Sequence, residues 1–448
     1  MPLSTARSIF PALFLLAACA SSASDDELVL NPPEQPAQAA RGVCPDEPAL
    51  DLELPSWDLY LSTEAWETLH RDVNASVEVR ALLCIQGRPY PLVLELQGAS
   101  SRKHLKKSFD LKFTQTAPLE GAPFGTSEAL PRILLKGMAN DQTLIREALG
   151  FAAWRGLGHL APRVSFANLR INGHYWGVYN LVEPIDRDFI ARHGFVPGGH
   201  LYKGVRTKYG RADFKPGRDL RDCFEDKSDP SSDWSDLKKL AEKLQRTPLR
   251  ADAFARDVDA VLPLASYIDR LIWIAVTQNS DAVAQNFYLY NEPGHGRDTW
   301  TMLPWDSNVS FGAHWSRPYV VVEPDEWPLV DSANYVSGRL LSVTELRAQY
   351  IVRARELLQA ELSVDTLLAH QAKLAARVRH DLARDQTRWQ REVPPDEAFE
   401  VLERFLRERP DVLHQALETL EGAASSDALD GGARDAGVGT ADDGDETD

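Results

Sequence analysis

Cysteine is scarce in this 448-residue chain, with four in all, and no Cys-x-x-Cys pair or Cys/His spacing suggests a zinc site. Positive charge is in deficit. Lys and Arg number 49 against 66 Asp and Glu, a formal net charge of −17 that argues against nucleic acid as a partner. No Gly-x-Ser-x-Gly elbow and no His-based metal cluster occurs, so hydrolase chemistry has little support. No internal repeat is visible. The apolar run from Ile9 to Leu16 is too short to span a bilayer. What is present is 44% hydrophobic and 26% charged residues, enough for a large core in two or three domains, or in one two-lobed domain with extensions.

The two ends differ from the middle. Arg7, the short apolar run and Leu16-Ala17-Ala18-Cys19 make residues 1–19 a targeting segment. Its end matches the bacterial lipobox, in which Cys19 becomes the lipidated first residue of the mature protein. An ordinary signal peptide cleaved after a small residue is the alternative. Ala20, where an inner-membrane lipoprotein carries Asp, directs the expectation to the outer membrane or cell surface. The protein is therefore expected to be exported and held at a membrane by a lipid anchor. Residues 20–46, rich in Ser, Ala, Asp, Pro and Gln, read as a flexible linker. Residues 419–448 carry nine acidic residues and one Arg among Gly, Ala and Ser, and read as a disordered acidic tail. An exported setting permits a disulfide. Cys44 and Cys84 both flank the first β region and are the expected pair, with Cys223 left over.

Between these ends the chain is first β-rich and then mostly helical, an α+β pattern with an N-terminal lobe over 47–185 and a C-terminal lobe over 186–418. Strands are predicted around Trp57–Leu61, Val77–Cys84 and Tyr90–Leu96, and a hairpin over 163–183 turns at Asn172-Gly173. An amphipathic helix is predicted over Asp141–Arg155 with Asp141 as its cap. Helices are also predicted over 236–245, 251–261, 263–277, 346–359, 364–389 and 395–406.

The chemistry concentrates in residues 279–312. Asp281 and Asn286 stand five positions apart, and Asp306 follows a predicted hairpin made of Phe287–Tyr290 and Trp300–Leu303. Protein kinases place an Asp base, an Asn on one Mg²⁺ and a second Asp on Mg²⁺ in that order. Hard oxygen ligands of this kind suit Mg²⁺ bound together with phosphates. Upstream, Gly98-Ala99-Ser100-Ser101-Arg102 is a small-residue turn, and a strand bearing Lys106 and Lys107 follows it. Alternation puts Lys107 on one face with Phe109, Leu111 and Phe113, and selects it as the lysine that pairs phosphates. Arg146 and Glu147 on the predicted helix are candidates to reach the same site. Loop capping by Asx side chains, a snorkelling lysine and a solvated helix face are the bland readings of these features.

Together these residues resemble the CotH kinase family. The resemblance runs from about Leu52 to Trp389. It rests on Gly98–Arg102 with Lys106-Lys107-Ser108-Phe109, on Thr143-Leu144-Ile145-Arg146, on Ala161-Pro162-Arg163, and on Ile171–Tyr179 with Glu183. Leu201-Tyr202-Lys203, Asn279-x-Asp281-x4-Asn286-Phe-Tyr-Leu-Tyr and Pro304-Trp305-Asp306 complete it. It implies an atypical protein-kinase-like fold, use of ATP with Mg²⁺ (or Mn²⁺), and phosphorylation of Ser or Thr on secreted or surface proteins. Carried over, Asp281 resembles the catalytic Asp, and Asn286 and Asp306 resemble the metal-binding pair. Lys107, Arg102, Arg146, Glu183 and Lys203 are then expected around the nucleotide. The rival expectation is a non-catalytic, adhesin-like surface-binding or structural protein on the same fold, since fold does not fix function. Scarce ATP outside the cytoplasm favours the rival, and an intact Asp281/Asn286/Asp306 set favours the enzyme.

Overall fold

A computed structural model describes residues 31–429, apart from 121, 122, 127, 197, 229, 230, 293–298, 315–320, 332, 333 and 392. Cys19 and residues 430–448 lie outside the described residues. No helix among the described residues is long and apolar enough to cross a membrane.

The N-terminal lobe is a closed barrel of β1 (Ser56–Tyr60), β2 (Val79–Ile85), β3 (Arg88–Leu96), β4 (Phe109–Phe113), β5 (Arg132–Lys136), β6 (Val164–Ile171) and β7 (His174–Val182), in the order β1-β2-β3-β4-β5-β7-β6. β6 closes it by pairing parallel to β1, with Trp57 opposite Leu169. Inward residues alternate as a barrel requires: Leu59, Leu94, Phe109, Leu111, Leu135 and Tyr179 are fully buried. Both tight hairpins carry two consecutive positive-φ residues, Gln86-Gly87 and Asn172-Gly173, the geometry that matches strand twist. Two short helices, α1 (Ala37–Ala40) and α2 (Thr63–Arg71), pack outside the early strands, and α3 (Arg146–Gly156) lies between the lobes.

The C-terminal lobe holds α4 (Arg187–Arg192), α5 (Leu220–Cys223), α6 (Ser235–Arg246), α7 (Ala251–Asp257), α8 (Leu264–Thr277), α9 (Tyr335–Leu341), α10 (Thr344–Gln359), α11 (Val364–Arg388) and α12 (Pro395–Leu429). The small ribbon β9 (Arg206–Thr207) and β10 (Gly210–Arg211) stands apart. A four-stranded antiparallel sheet has the order β11-β8-β12-β13, formed by β8 (His200–Gly204), β11 (Phe224–Asp226), β12 (Phe287–Glu292) and β13 (Thr299–Pro304). α8 is buried almost all round and feeds directly into the loop that carries Asp281. The architecture is α+β, a β barrel followed by a mostly helical lobe, as expected from the order of strands and helices.

Four expectations are corrected. α3 begins at Arg146, because the Asp141 carboxylate accepts from Thr143 N (2.9 Å) and Arg146 N (2.8 Å) and holds a loop rather than a helical turn. The described part of the segment read as a linker is fastened to the barrel: Trp66 Nε1 donates to Asn31 Oδ1, Asn172 Nδ2 donates to Pro33 O, and Ala39 is buried. α12 passes the boundary placed before residue 419, because Leu413 and Leu417 bury one face and Leu420 extends it. β5, with its terminal Lys136, lies in a region where no strand was predicted. Cys44 and Cys84 form the disulfide.

Candidate active site

A cleft of about 1300 Å³ lies between the lobes. Its barrel side is built from the Gln97–Ser101 turn and the ends of β4 and β5. Its other side comes from β8, the 280–286 loop and Asp306. The turn needs Gly98, whose φ is +100 and where a Cβ would fall 1.9 Å from Ser101 Oγ. Gly137, just after Lys136, is equally constrained, since a Cβ there would meet Lys106 O at 2.9 Å.

Lys136 is the centre of the barrel side. β5 is held between β4 and β7, and this delivers the lysine to the cleft with its stem buried. Its Nζ donates to Glu147 Oε1 at 2.5 Å and Asp306 Oδ1 at 2.8 Å, and lies over the Trp305 ring at 4.7 Å. Burial works against its charge, but Asp306 and Glu147 outweigh burial and hold the ammonium firmly protonated. Burial raises the Glu147 carboxyl, and Lys136 opposes that rise. Asp306 goes the other way: burial would raise it, but Lys136 and then Lys203 pull it below the usual carboxylate range. Its side chain remains 41% exposed, turned toward the open cleft rather than sealed in.

The opposite side is the 280–286 loop. Asp281 sits in a 3-10 turn (Ser280–Ala282) capped by Asn279. Its carboxylate accepts from Gln285 Nε2 and, at 2.6 Å, from Asn286 Nδ2. Burial and the nearby Asp306 charge raise its pKa. Asn286 and Asp306 both adopt positive φ, +55° and +52°, and Trp305 N donates to Asn286 O at 3.1 Å. The β12–β13 pairing thus brings these residues together at one end of the hairpin.

Asp281, Asn286, Asp306, Arg102 and Lys203 all line this cleft. Three expected residues do not. Lys107 lies outside the lining and donates to Arg102 O at 2.6 Å, because β4 starts at Phe109 and the preceding loop does not keep strand alternation. Lys106 is the buried one of the two, ion-paired with Asp385. Arg146 is buried and bound to Asp141 (2.6 Å), so it braces α3. Glu183 is fully buried beneath Arg163, Arg192 and His193, where the chain crosses between lobes. Lys136 and Glu147 take the place expected for Lys107. The available signal was Ile133-Leu134-Leu135-Lys136-Gly137, an apolar strand ending on a lysine.

The donor set fits a phosphate-bound cation. Asn286 and Asp306 offer hard oxygens, whereas no group of three or more His, Cys, Asp or Glu that could hold a metal alone exists among the described residues. A small divalent ion here would complete its shell with phosphates and water, as Mg²⁺ does.

A family model described as CotH kinase protein matches residues 94–413, from within β3 into α12. The inner spore coat protein H of Bacillus subtilis (strain 168) is 23% identical over 322 residues, covering 70% of this chain and 83% of that protein. Among solved structures, the Helicobacter pylori proinflammatory kinase CtkA aligns with 66% of this chain and 92% of its own at 10% identity, TM-score 0.26. The HipA, HipB and operator DNA complex of the Shewanella oneidensis MR-1 toxin antitoxin system covers 78% and 66% at 15% identity, TM-score 0.29.

Proposed function

Because the chain belongs to the CotH kinase protein family, we propose that it is an ATP-dependent protein kinase acting on Ser or Thr of secreted or surface proteins. The observation that carries this reading is Lys136, held between Glu147 and Asp306 in the cleft that also contains Asp281 and Asn286. A lysine fixed by a helix glutamate and placed beside a metal-binding Asp is the electrostatic core of kinase chemistry.

Bound ATP with Mg²⁺ (or Mn²⁺) would supply the phosphoryl group and neutralise part of its charge. Asn286 and Asp306 would hold the cation. Lys136 would place a fixed positive charge against the phosphates, and the Gln97–Ser101 turn would border them. Asp281 orients the acceptor hydroxyl and receives its proton as the new O–P bond forms and the bond to the departing ADP oxygen breaks. Positioning and preorganised charge provide most of such catalysis.

The Cys19 lipobox supports export and anchoring through a lipid on Cys19, at the outer membrane or cell surface. Cys19→Ser should release the protein from membranes, and unchanged membrane association would refute the anchor. The kinase reading is tested by incubating the protein with labelled ATP, Mg²⁺ and a preparation of exported proteins, beside Asp281→Asn. Label dependent on Asp281 is expected. Neither transfer nor metal-dependent nucleotide binding would leave the non-catalytic surface-binding reading in its place.

A further inference from the structure

Donors from three different elements hold three consecutive backbone carbonyls of the loop that bears Asp281 and Asn286. Arg270, on α8, donates from Nη2 to Ala282 O. Asn334, the N-cap of α9, donates from Nδ2 to Val283 O at 2.9 Å. Ala212 N, just after β10, donates to Ala284 O at 2.8 Å. Neither Arg270 nor Asn334 lines the cleft.

Arg270 reaches both ends of the loop. Its guanidinium bonds the residue after Asp281 and lies over the ring of Phe287, the residue after Asn286, at 4.8 Å. Burial disfavours such a charge. Arg270 is 4% exposed, and burial brings its pKa down to about 10 with Tyr267 opposing. Its neighbour Asp269 is paired with His159 and Arg353, whereas no carboxylate pairs with Arg270 among the described residues. An apolar side chain of similar volume is often neutral or stabilising where a buried charge stands. Core stability therefore gives no reason for the arginine, and its two contacts do. The Asn334 amide is fixed as firmly. Its Oδ1 accepts from Ser337 N at 2.8 Å and from Tyr267 OH at 3.2 Å, which turns Nδ2 toward Val283 O. Tyr267 and Arg270 stand three positions apart on α8, so both contacts refer the loop to one buried helix.

We propose that Arg270 and Asn334 are positioning residues for the phosphoryl-transfer site: they fix the backbone of residues 282–284, and through it the direction in which Asp281 and Asn286 face the cleft. The proposal rests on the kinase reading for its effect on turnover, but the hold on the loop does not require turnover. Asp281 lies on one side of the held carbonyls and Asn286 on the other. Loss of either donor would shift the carboxylate meant for the acceptor hydroxyl and the amide meant for the cation together. A displacement of about 1 Å is enough to cost roughly 10²-fold in rate.

The test uses the full chain. Asn334→Asp keeps the oxygen that caps α9 and receives the Tyr267 hydroxyl, and removes the donor to Val283 O. Arg270→Met removes the donor to Ala282 O, and Arg270→Lys keeps the charge without the flat guanidinium. In Asn334→Asp and Arg270→Met, kcat should fall by about 10- to 100-fold while the melting temperature is retained and KM for ATP changes little, and Arg270→Lys should recover part of the loss. A second measurement needs no nucleotide. Amide hydrogen exchange read by mass spectrometry should quicken over residues 280–287 in both variants and keep the wild-type rate in the barrel and α10. Should Arg270→Met fail to fold, Asn334→Asp carries both measurements. Quickened exchange confined to this loop supports the proposal even where the wild type transfers no phosphate, in which case the kinase reading alone fails. Wild-type exchange in the loop, wild-type kcat in both variants, or a lowered melting temperature with exchange quickened throughout the lobe would overturn it, the last because both residues would then be merely structural.

Discussion

Lys136→Met should be the most informative single change, because two opposite expectations meet at this residue. The lysine side chain is 4% exposed and its Glu147 partner 0%. Removing one member of a buried ion pair costs roughly 3–5 kcal/mol, since the other charge is left without compensation. Glu147 can escape part of that cost by binding a proton, because burial already raises its pKa. With a raised folded pKa, the carboxyl costs little at low pH and more as pH rises above its unfolded value. The variant should therefore lose roughly 3 kcal/mol at about pH 8 and clearly less near pH 5. Asp306 adds little to this loss, since its side chain opens to the cleft. Lys136→Met/Glu147→Gln should recover most of the stability and none of the nucleotide binding. Urea unfolding at the two pH values and calorimetric titration of ATP with Mg²⁺ measure both quantities. Lys107→Met, which loses the contact to Arg102 O, should resemble wild type in both assays. If Lys107→Met abolishes nucleotide binding and Lys136→Met does not, the assignment of the phosphate-pairing lysine is wrong.

Asp306→Asn and Asp281→Asn should fail differently: the first weakens metal-dependent ATP binding, and the second leaves it largely intact while turnover falls by roughly 10²–10⁴-fold, as titration and a phosphorylation assay would show. Glu183 should set part of the acid limit. Burial alone would raise its carboxyl, but His193 and Arg163 bring it down to about 2. A depressed folded pKa stabilises above the unfolded value near 4.5 and loses that contribution as pH falls toward 2. Glu183→Gln should thus lose up to roughly 3 kcal/mol at neutral pH, and the gap to wild type should close through that acid window in denaturant titrations. The Cys44–Cys84 bridge spans 40 residues, which corresponds to about 4 kcal/mol of chain entropy in the simplest estimate, so Cys44→Ser/Cys84→Ser should lower the unfolding free energy by at most that amount.

The sequence made the 279–312 stretch readable because its logic is local. Asp281, Asn286 and Asp306 are separated by one turn and one hairpin, and both distances can be judged from turn residues and strand alternation. The lysine was different. Its identity depends on which strand β5 lies between, and that is set by pairing with β4 and β7, whose partners are far away in the chain. Alternation around Lys106 and Lys107 was extended into residues that are not strand, and the face assignment reversed: Lys106 is buried and Lys107 half-exposed. Arg146 and Glu183 look like site residues for a related reason. Both carry charge close to the cleft, but Asp141 satisfies the first and Arg163, Arg192 and His193 the second, and such buried neighbours cannot be seen in a linear pattern.

The division into an early β lobe and a later helical lobe is a statement about chain order, and space divides otherwise. α11 belongs to the later part, yet it is bound to the barrel through two carboxylates one helical turn apart. Asp381 accepts from Glu53 N (3.0 Å), Leu54 N (2.8 Å) and Asn168 Nδ2 (2.6 Å). Asp385 accepts from Val178 N (2.8 Å) and pairs with the buried Lys106, while Trp389 Nε1 donates to Trp176 O (2.9 Å). Lys106 is the point where this fastening meets the cleft, because it lines the cleft and its backbone lies against Gly137, next to Lys136. The loop over the cleft and the lysine within it are therefore set by a helix more than 250 positions away (Lys106 to Asp385, 279 apart). α11 thus ties the barrel to the later helices beside the 183–186 crossing, and Lys136, Glu147 and Asp306 are already in contact in this structure. For the proposed kinase, charges fixed in this way would act on developing charge without first being rearranged.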